Sequence, residues 1–262
     1  MVDDLIFDLG LHHGDDTDFY LRKAFRVVGL EANPDLCRLA RDRFVDAVAT
    51  GRLAIVNKAL HVRANAKAMF YVSSRKDDWS SLDPAMTGRN GDELTAIEVE
   101  TTTLGELVDT YGVPYYLKSD IEGADEFAIA QLETLPSLPR YVSVEASGNP
   151  VETLVRCGYE SFQIINQGYL RLFPSPDPPR EGKFAEQNLR GQISGLFGRE
   201  LDPSAWYDAG TTIERLARWR ALNEKRGNPV VRRLLKTVGK LTRRTWLISS
   251  GWIDIHARLA MH

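Results

Sequence analysis

The amino-acid sequence predicts an α/β fold: a mostly parallel sheet with helices on both faces, followed by a basic C-terminal extension. Short apolar runs alternate with amphipathic stretches over the first two thirds of the chain, the pattern of right-handed βαβ units. Gly10 and Gly14 bracket the turn after the first apolar run, where backbone has to pass close to a neighbour or a ligand. A proline-rich string at 174–179 then ends the alternation and marks a boundary or hinge.

Residues 5–7 form the first strand candidate and 17–25 the first helix. The run 26–30 is a second strand, and 35–49 is a helix with Leu36, Leu39, Ala40 and Phe44 at helical spacing. Pro34 and Asp35 open that helix, because proline loses no needed N–H in a first turn. Residues 53–56, 68–72 and 97–101 have strand composition, the last two separated by a long polar loop. A helix at 104–111, a strand at 115–120, a helix at 126–135, a strand at 141–145 and a helix at 151–157 follow. Two further apolar runs, 162–165 and 169–173, read as a hairpin, which implies one antiparallel edge strand. Residues 180–262 read as a loop, two helices and a terminal strand or turn. The expected division is a core over 1–173 and an extension over 174–262 that serves as a lid or acceptor-binding element.

The 262 residues are 43% hydrophobic and 26% charged, which argues against a disordered, collagen-like or coiled-coil protein. No apolar run reaches the length of a membrane span, and the acidic start MVDDLIFDLG does not read as a signal peptide. Two cysteines, Cys37 and Cys157, suggest neither a disulfide framework nor a zinc cluster. A cytoplasmic protein is expected. The net charge of −3 conceals an asymmetry: residues 211–262 hold 12 Lys and Arg against 3 Asp and Glu, whereas the rest hold 21 against 33. Within 229–247, Val231, Leu234, Leu235, Val238 and Leu241 share one helical side and basic residues the other. Such a helix either caps the cleft, or meets the inner face of a membrane or an anionic or lipid-linked glycan. Nucleic acid is not expected, since no recognition motif accompanies the charge.

Ligands of open α/β sheets bind at the carboxyl ends of the strands. The first such turn reads Asp8-Leu9-Gly10-Leu11-His12-His13-Gly14-Asp15-Asp16-Thr17. It lacks the Gly-x-Gly-x-x-Gly of dinucleotide sites and the Gly-Lys-Ser/Thr of P-loops. Asp8 would repel a pyrophosphate and suits a cation, such as the amino group of S-adenosylmethionine. Glu31, in Glu31-Ala32-Asn33-Pro34, can accept both hydroxyls of an adenosine ribose, whether of a nicotinamide dinucleotide or of S-adenosylmethionine. Asn57, Lys58 and Ala59 follow the third strand, near where an adenine edge needs partners. Asp120 and Glu122 place two acids at the cleft mouth, although Glu122 and Asp125 also suit the start of a helix.

Taken in order, these segments resemble the FkbM-type methyltransferases, which are class I S-adenosylmethionine-dependent enzymes. The resemblance covers about residues 4–147 and rests on Phe7-Asp8-Leu9-Gly10 with Gly14, Asp15-Asp16-Thr17, Glu31-Ala32-Asn33-Pro34, residues 118–125 and Ser143-Val144-Glu145. The segments 194–198 and 251–257 also look like pieces of some members. Ser119 stands where members usually have an apolar residue, and His12 where Asn is common. The resemblance implies a Rossmann-like seven-stranded sheet of order 3-2-1-4-5-7-6 with the last strand antiparallel. It also implies S-adenosylmethionine as cofactor and methylation mostly of hydroxyls on sugars, glycans or natural products.

On this reading the cofactor-binding candidates are Asp8, Gly10, His13, Gly14, Thr17, Glu31, Ala32, Asn33, Asn57, Lys58, Ala59 and Asp120. Methyl transfer to an alcohol needs in-line positioning and a group to take the proton, for which Asp120, Glu122 and His12 are candidates. Trp79, Ser80, Ser81, Glu145 and His256 are candidates for the acceptor side, Trp79 by stacking and His256 by folding back of the terminal segment. Tyr20 is placed to reach the methionine end of the cofactor or to pack. A divalent ion on Asp120 and Glu145 is another way to acidify a diol, with no third ligand at recognisable spacing. Two other classes stay open. A nicotinamide-dependent oxidoreductase is disfavoured by the missing glycine fingerprint, and a catalytically weak glycan- or membrane-binding protein by the intact acids.

Overall fold

A computed structural model of the chain describes residues 1–73, 80–88, 93–189, 193–225, 228–242 and 252–260. The first half follows the expected alternation: β1 (Val2–Leu9), α1 (Asp15–Arg22), β2 (Arg26–Leu30), α2 (Pro34–Arg43), α3 (Val45–Ala49) and β3 (Leu53–Val56). There follow β4 (Ala59–Leu60), β5 (Lys67–Ser73), α4 (Pro84–Thr87), β6 (Leu94–Thr102), α5 (Leu104–Tyr111), β7 (Pro114–Ser119) and α6 (Asp125–Ala130). The chain continues through β8 (Tyr141–Glu145), α7 (Pro150–Arg156), β9 (Tyr159–Asn166), α8 (Ala209–Lys225), α9 (Pro229–Thr242) and β10 (Ile253–Leu259). Local chemistry sets the boundaries. The Asn33 side chain accepts from Asp35 N at 2.9 Å and caps α2, with Pro34 in its first turn. The single helix expected over 35–49 is instead two, because Phe44 leaves the helical conformation at φ −115° and turns its ring toward Gly14.

Seven strands form the main sheet in the order β3-β2-β1-β7-β8-β10-β9, and a three-stranded sheet β4-β6-β5 stands apart from it. The pairs from β3 to β8 are parallel, and β10 runs antiparallel to both of its neighbours. The seven-strand order implied by the resemblance is therefore present, but the hairpin is not. Residues Gln167–Leu172 form a 3-10 turn capped by the Asn166 side chain, which accepts from Gly168 N at 3.0 Å. The antiparallel strand comes from 253–259 and inserts between β8 and β9, so it is internal and not an edge. Its sequence suits that place: Ile253, Ile255 and Ala257 face one apolar layer while Asp254 and His256 face the other side. The sheet thus draws strands from both sides of residue 173.

Each face of the sheet has its own core. Leu5, Phe7, Leu9, Leu117, Val142, Val144 and Ile255 pack with α5, α6, α7 and α8. On the opposite face, Ile6, Tyr116 and Tyr141 meet α1 and α2 together with Leu196, Phe197 and Leu201 from the irregular segment after the proline-rich break. Phe197 is the hub of this second layer. It is fully buried, stacks on Tyr116 with centroids 4.8 Å apart, and meets Tyr20 edge-on at 5.0 Å. Beside it, Lys23 donates to Glu200 Oε1 at 2.7 Å in a fully buried ion pair and to Lys183 O at 3.1 Å. Residues 193–206 therefore help to cover this face of the sheet beside α1. Phe197→Ala is expected to cost about 3–5 kcal/mol of stability, read as a lower midpoint in urea denaturation. A change below 1 kcal/mol would show that the segment is not integral to the core.

Candidate active site

At the carboxyl ends of the parallel strands lies a cavity of about 640 Å³, large enough for a nucleoside cofactor with part of an acceptor. Its first wall is the loop after β1. Gly10 has φ +86°, and a Cβ there would sit 2.0 Å from the carbonyl oxygen of Asp120, so only glycine lets the β1 and β7 ends approach. The second wall is the end of β2. Glu31 accepts His12 N on Oε2 at 2.9 Å and Asn33 N on Oε1 at 2.8 Å, which fixes its carboxylate against the cavity. Burial raises its pKa, and those backbone donors oppose the rise. The small sheet supplies Ala59, Leu60 and Phe70 as an apolar side.

The floor is a cluster of charge. The buried Lys118 ammonium lies 3.0 Å from Asp16 Oδ2, 3.3 Å from Asp8 Oδ1 and 3.4 Å from Asp120 Oδ2. Burial disfavours the cation, but Asp8, Asp16 and Asp120 outweigh it and hold the Lys118 pKa well above its ordinary range. Asp8 also accepts from Thr17 Oγ1 at 2.7 Å, and Asp16 from Ser194 N at 2.8 Å. Three carboxylates against one ammonium leave the site a negative floor. Asp120 is the accessible member, its side chain 56% exposed.

β10 adds a fourth acid. An antiparallel strand begins where its parallel neighbours end, so Trp252 and Asp254 lie on the cavity wall beside Glu145 of β8. Burial raises the Asp254 pKa well above the usual carboxylate range, Asp120 and Glu145 add to the rise, and Lys118 and a hydrogen bond from Gln167 oppose it.

The structure brings many sequence candidates together. Gly10, His12, His13, Gly14, Glu31, Ala32, Lys58, Ala59, Ser80, Ser81, Asp120, Glu122 and Glu145 all line the cavity. Asp8, Thr17, Asn33, Asn57 and His256 do not. Asp8 and Thr17 bind each other beneath the floor, so Asp8 orients Lys118 and does not present itself to a ligand. Asn33 is used as a helix cap. Asn57 donates to Glu31 O at 2.9 Å and Ala32 O at 3.0 Å, holding the β2 end in place instead of meeting an adenine edge. Tyr20 is packing, fully buried against Tyr116 and Phe197. Trp79 lies outside the described residues. His256 sits two residues further along β10, buried between Ser143 and Gln163 in the sheet register. Ser119 donates to Asp125 Oδ1 at 2.8 Å, and Ile121 N donates to the same oxygen at 3.0 Å, bracing the turn that presents Asp120 and Glu122. Burial pushes Asp125 up to about 7, with Asp120 and Glu145 adding to the rise and the bonds from Ile121 N and Ser119 opposing it.

Lys118, Asp16 and Asp254 are the site residues that sequence reasoning left without a role. A lysine inside an apolar strand was the available signal for the first, since a buried lysine requires counter-charges. Nothing local marks Asp254. Among the described residues, no group of three or more His, Cys, Asp or Glu is arranged to hold a metal ion.

Residues 8–170 match the Methyltransferase FkbM domain, well over half of the chain. The chain belongs to the FkbM methyltransferase family. It is accordingly an S-adenosylmethionine-dependent methyltransferase, and the residues present fit that cofactor: a negative floor for a cation and the Glu31 carboxylate for a ribose. Among solved structures, this methyltransferase is similar to a precorrin-6y C5,15-methyltransferase from Geobacter metallireducens at 16% identity, over 63% of this chain and 67% of that one, with TM-score 0.35. It is similar to a TehB-like SAM-dependent methyltransferase from Corynebacterium glutamicum at 15% identity, over 63% and 70%, with TM-score 0.33. It is also similar to the O-methyltransferase of a trans-AT PKS multienzyme from Brevibacillus brevis, solved with S-adenosyl-L-homocysteine, at 11% identity over 98% and 67%, with TM-score 0.39. No curated relative matches the sequence.

The His256 imidazole has a directional consequence for stability. Burial alone pushes its pKa down to about 3, and its Nε2 has no partner among the described residues. An unfolded chain takes up a proton on this histidine below about pH 6.5, whereas the folded one does not until about 3. Stability is therefore lost as pH falls through that window. His256→Gln is expected to flatten this dependence in urea denaturation repeated across it. Parallel pH profiles for the two proteins would refute a buried neutral imidazole.

Proposed function

We propose that the protein methylates a hydroxyl group of a sugar, a glycan or a natural product. The observation that carries this reading is the convergence of Asp120, Glu145 and Asp254, with Gln167, on one side of the cavity. Several carboxyl groups on one wall offer acceptor oxygens to a ligand rich in hydroxyl donors. When bound, S-adenosylmethionine supplies an electrophilic methyl group.

The chain's own residues hold and deprotonate the acceptor. Glu31 accepts from the ribose hydroxyls, since its two backbone donors leave lone pairs on both oxygens. Asp120 and Glu145 accept hydrogen bonds from acceptor hydroxyls and fix which one is presented. Asp254 takes the proton that leaves the hydroxyl oxygen as that oxygen is alkylated. Gln167 donates to its Oδ2 and leaves Oδ1 for this task. Burial raises the affinity of Asp254 for that proton above a solvated carboxylate's, so the ionised form that accepts it is favoured by higher pH.

Two variants separate binding from turnover. Glu31→Ala is expected to weaken S-adenosylhomocysteine binding about 10–100-fold in isothermal titration, the loss of charge-assisted hydrogen bonds. Asp254→Asn is expected to leave that affinity unchanged and to slow turnover about 10²–10⁴-fold. Turnover is read as transfer of labelled methyl from S-adenosylmethionine into a native glycan and metabolite pool, followed by mass spectrometry of the products. Label in methyl ethers supports the reading. Label confined to nitrogen or carbon, or stabilisation by a nicotinamide dinucleotide and not by S-adenosylhomocysteine, sinks it.

A further inference from the structure

Helix α9 is unlike the other helices of the chain. Its fourteen residues, Pro229–Thr242, carry four Lys or Arg and no Asp or Glu. The Asn228 side chain accepts from Val230 N at 2.9 Å and caps it. Val230, Leu234 and Leu241 recur on one side at helical spacing, and they are 74%, 62% and 80% exposed. Val231 and Leu235 are half-buried and Gly239 is buried, which marks the side turned toward the protein. Arg232, Arg233 and Lys236 are exposed on the remaining side. An exposed apolar stripe beside a basic face, with no acid between them, is out of place in plain water.

We propose that α9 docks on a membrane surface rich in anionic lipid. The Val230-Leu234-Leu241 stripe enters the boundary of the acyl chains, and Arg232, Arg233 and Lys236 lie among the headgroups. The helix lies on the surface and does not cross it: fourteen residues rise only about 21 Å, and no helix among the described residues is long and apolar enough to span. Charge decides between occupants. A second copy of this helix, with four Lys or Arg and no acid, would carry the same charge and repel it, whereas an anionic bilayer complements both the apolar and the basic strips. The proposal holds whichever acceptor the cavity takes.

The test is sedimentation of the full-length protein with vesicles of phosphatidylcholine alone or mixed with phosphatidylglycerol. Binding at least about tenfold tighter on the anionic vesicles is expected, and it should weaken in concentrated salt. Leu234→Glu with Leu241→Glu should abolish at least nine tenths of that binding. Replacing Arg232 and Arg233 by Gln should weaken it about fivefold per charge. Because these side chains are exposed, S-adenosylhomocysteine affinity should be unchanged in every variant, which shows that the fold is intact. The proposal is overturned if the wild type prefers neither vesicle, or if the double Leu variant binds as well as the wild type. It is equally overturned if the wild type is a dimer that the double variant dissociates in the absence of lipid.

Discussion

The buried ammonium of Lys118 is the interaction on which the rest of the site depends. It joins β7 to the end of β1 through Asp8, to the start of α1 through Asp16, and to the cavity mouth through Asp120. Any one of those carboxylates left alone in the sheet interior would be expensive, and so would the lysine. Together they form a charged floor that keeps the strand ends in register while leaving an excess of negative charge facing the cavity. The polar row continues in register through Ser143 and His256 to Gln163, with the apolar Ile6, Tyr116 and Tyr141 on one flank and the cavity acids Asp120, Glu145 and Asp254 on the other.

That floor requires cover, and the cover comes from the last third of the chain. Ser194 N closes over Asp16, Phe197 fills the space between Tyr116 and α1, and Glu200 neutralises Lys23. β10 then returns through the sheet and delivers Trp252 and Asp254 to the cavity from the opposite chain direction. Residues far apart in sequence therefore build one site. The end formed by β1, β2 and the small sheet comes from the matched family domain, and much of the opposite end comes from residues beyond it.

Much of this was legible in the sequence. Apolar runs such as 26–30, 53–56 and 141–145 become strands with the expected limits because one buried face or two leaves little freedom in period. Gly10, Glu31 and Asp120 were readable because strand-end turns have distinctive residues at short range. The hairpin at 162–173 was not readable correctly: the run at 169–173 is as apolar as a strand, but the Asn166 cap turns the chain and the partner position is filled from 253–259. Asn57 and Asn33 looked like ligand contacts because an amide at a strand end serves a nucleoside and a backbone carbonyl equally well. Only the distances show that theirs are spent on the protein.

By itself the sequence determined the α/β class, the strand-end turns that wall the cavity and the polarity of those turns, since these follow from periodicity and from residues within a short span. Tertiary structure alone decided that Lys118 gathers three aspartates, that Asp8 supports the floor from below, and that Asp254 reaches the cavity where His256 does not. The reason is the same in each case. Long-range register and strand direction choose which side chains share a volume, and neither is written in local spacing.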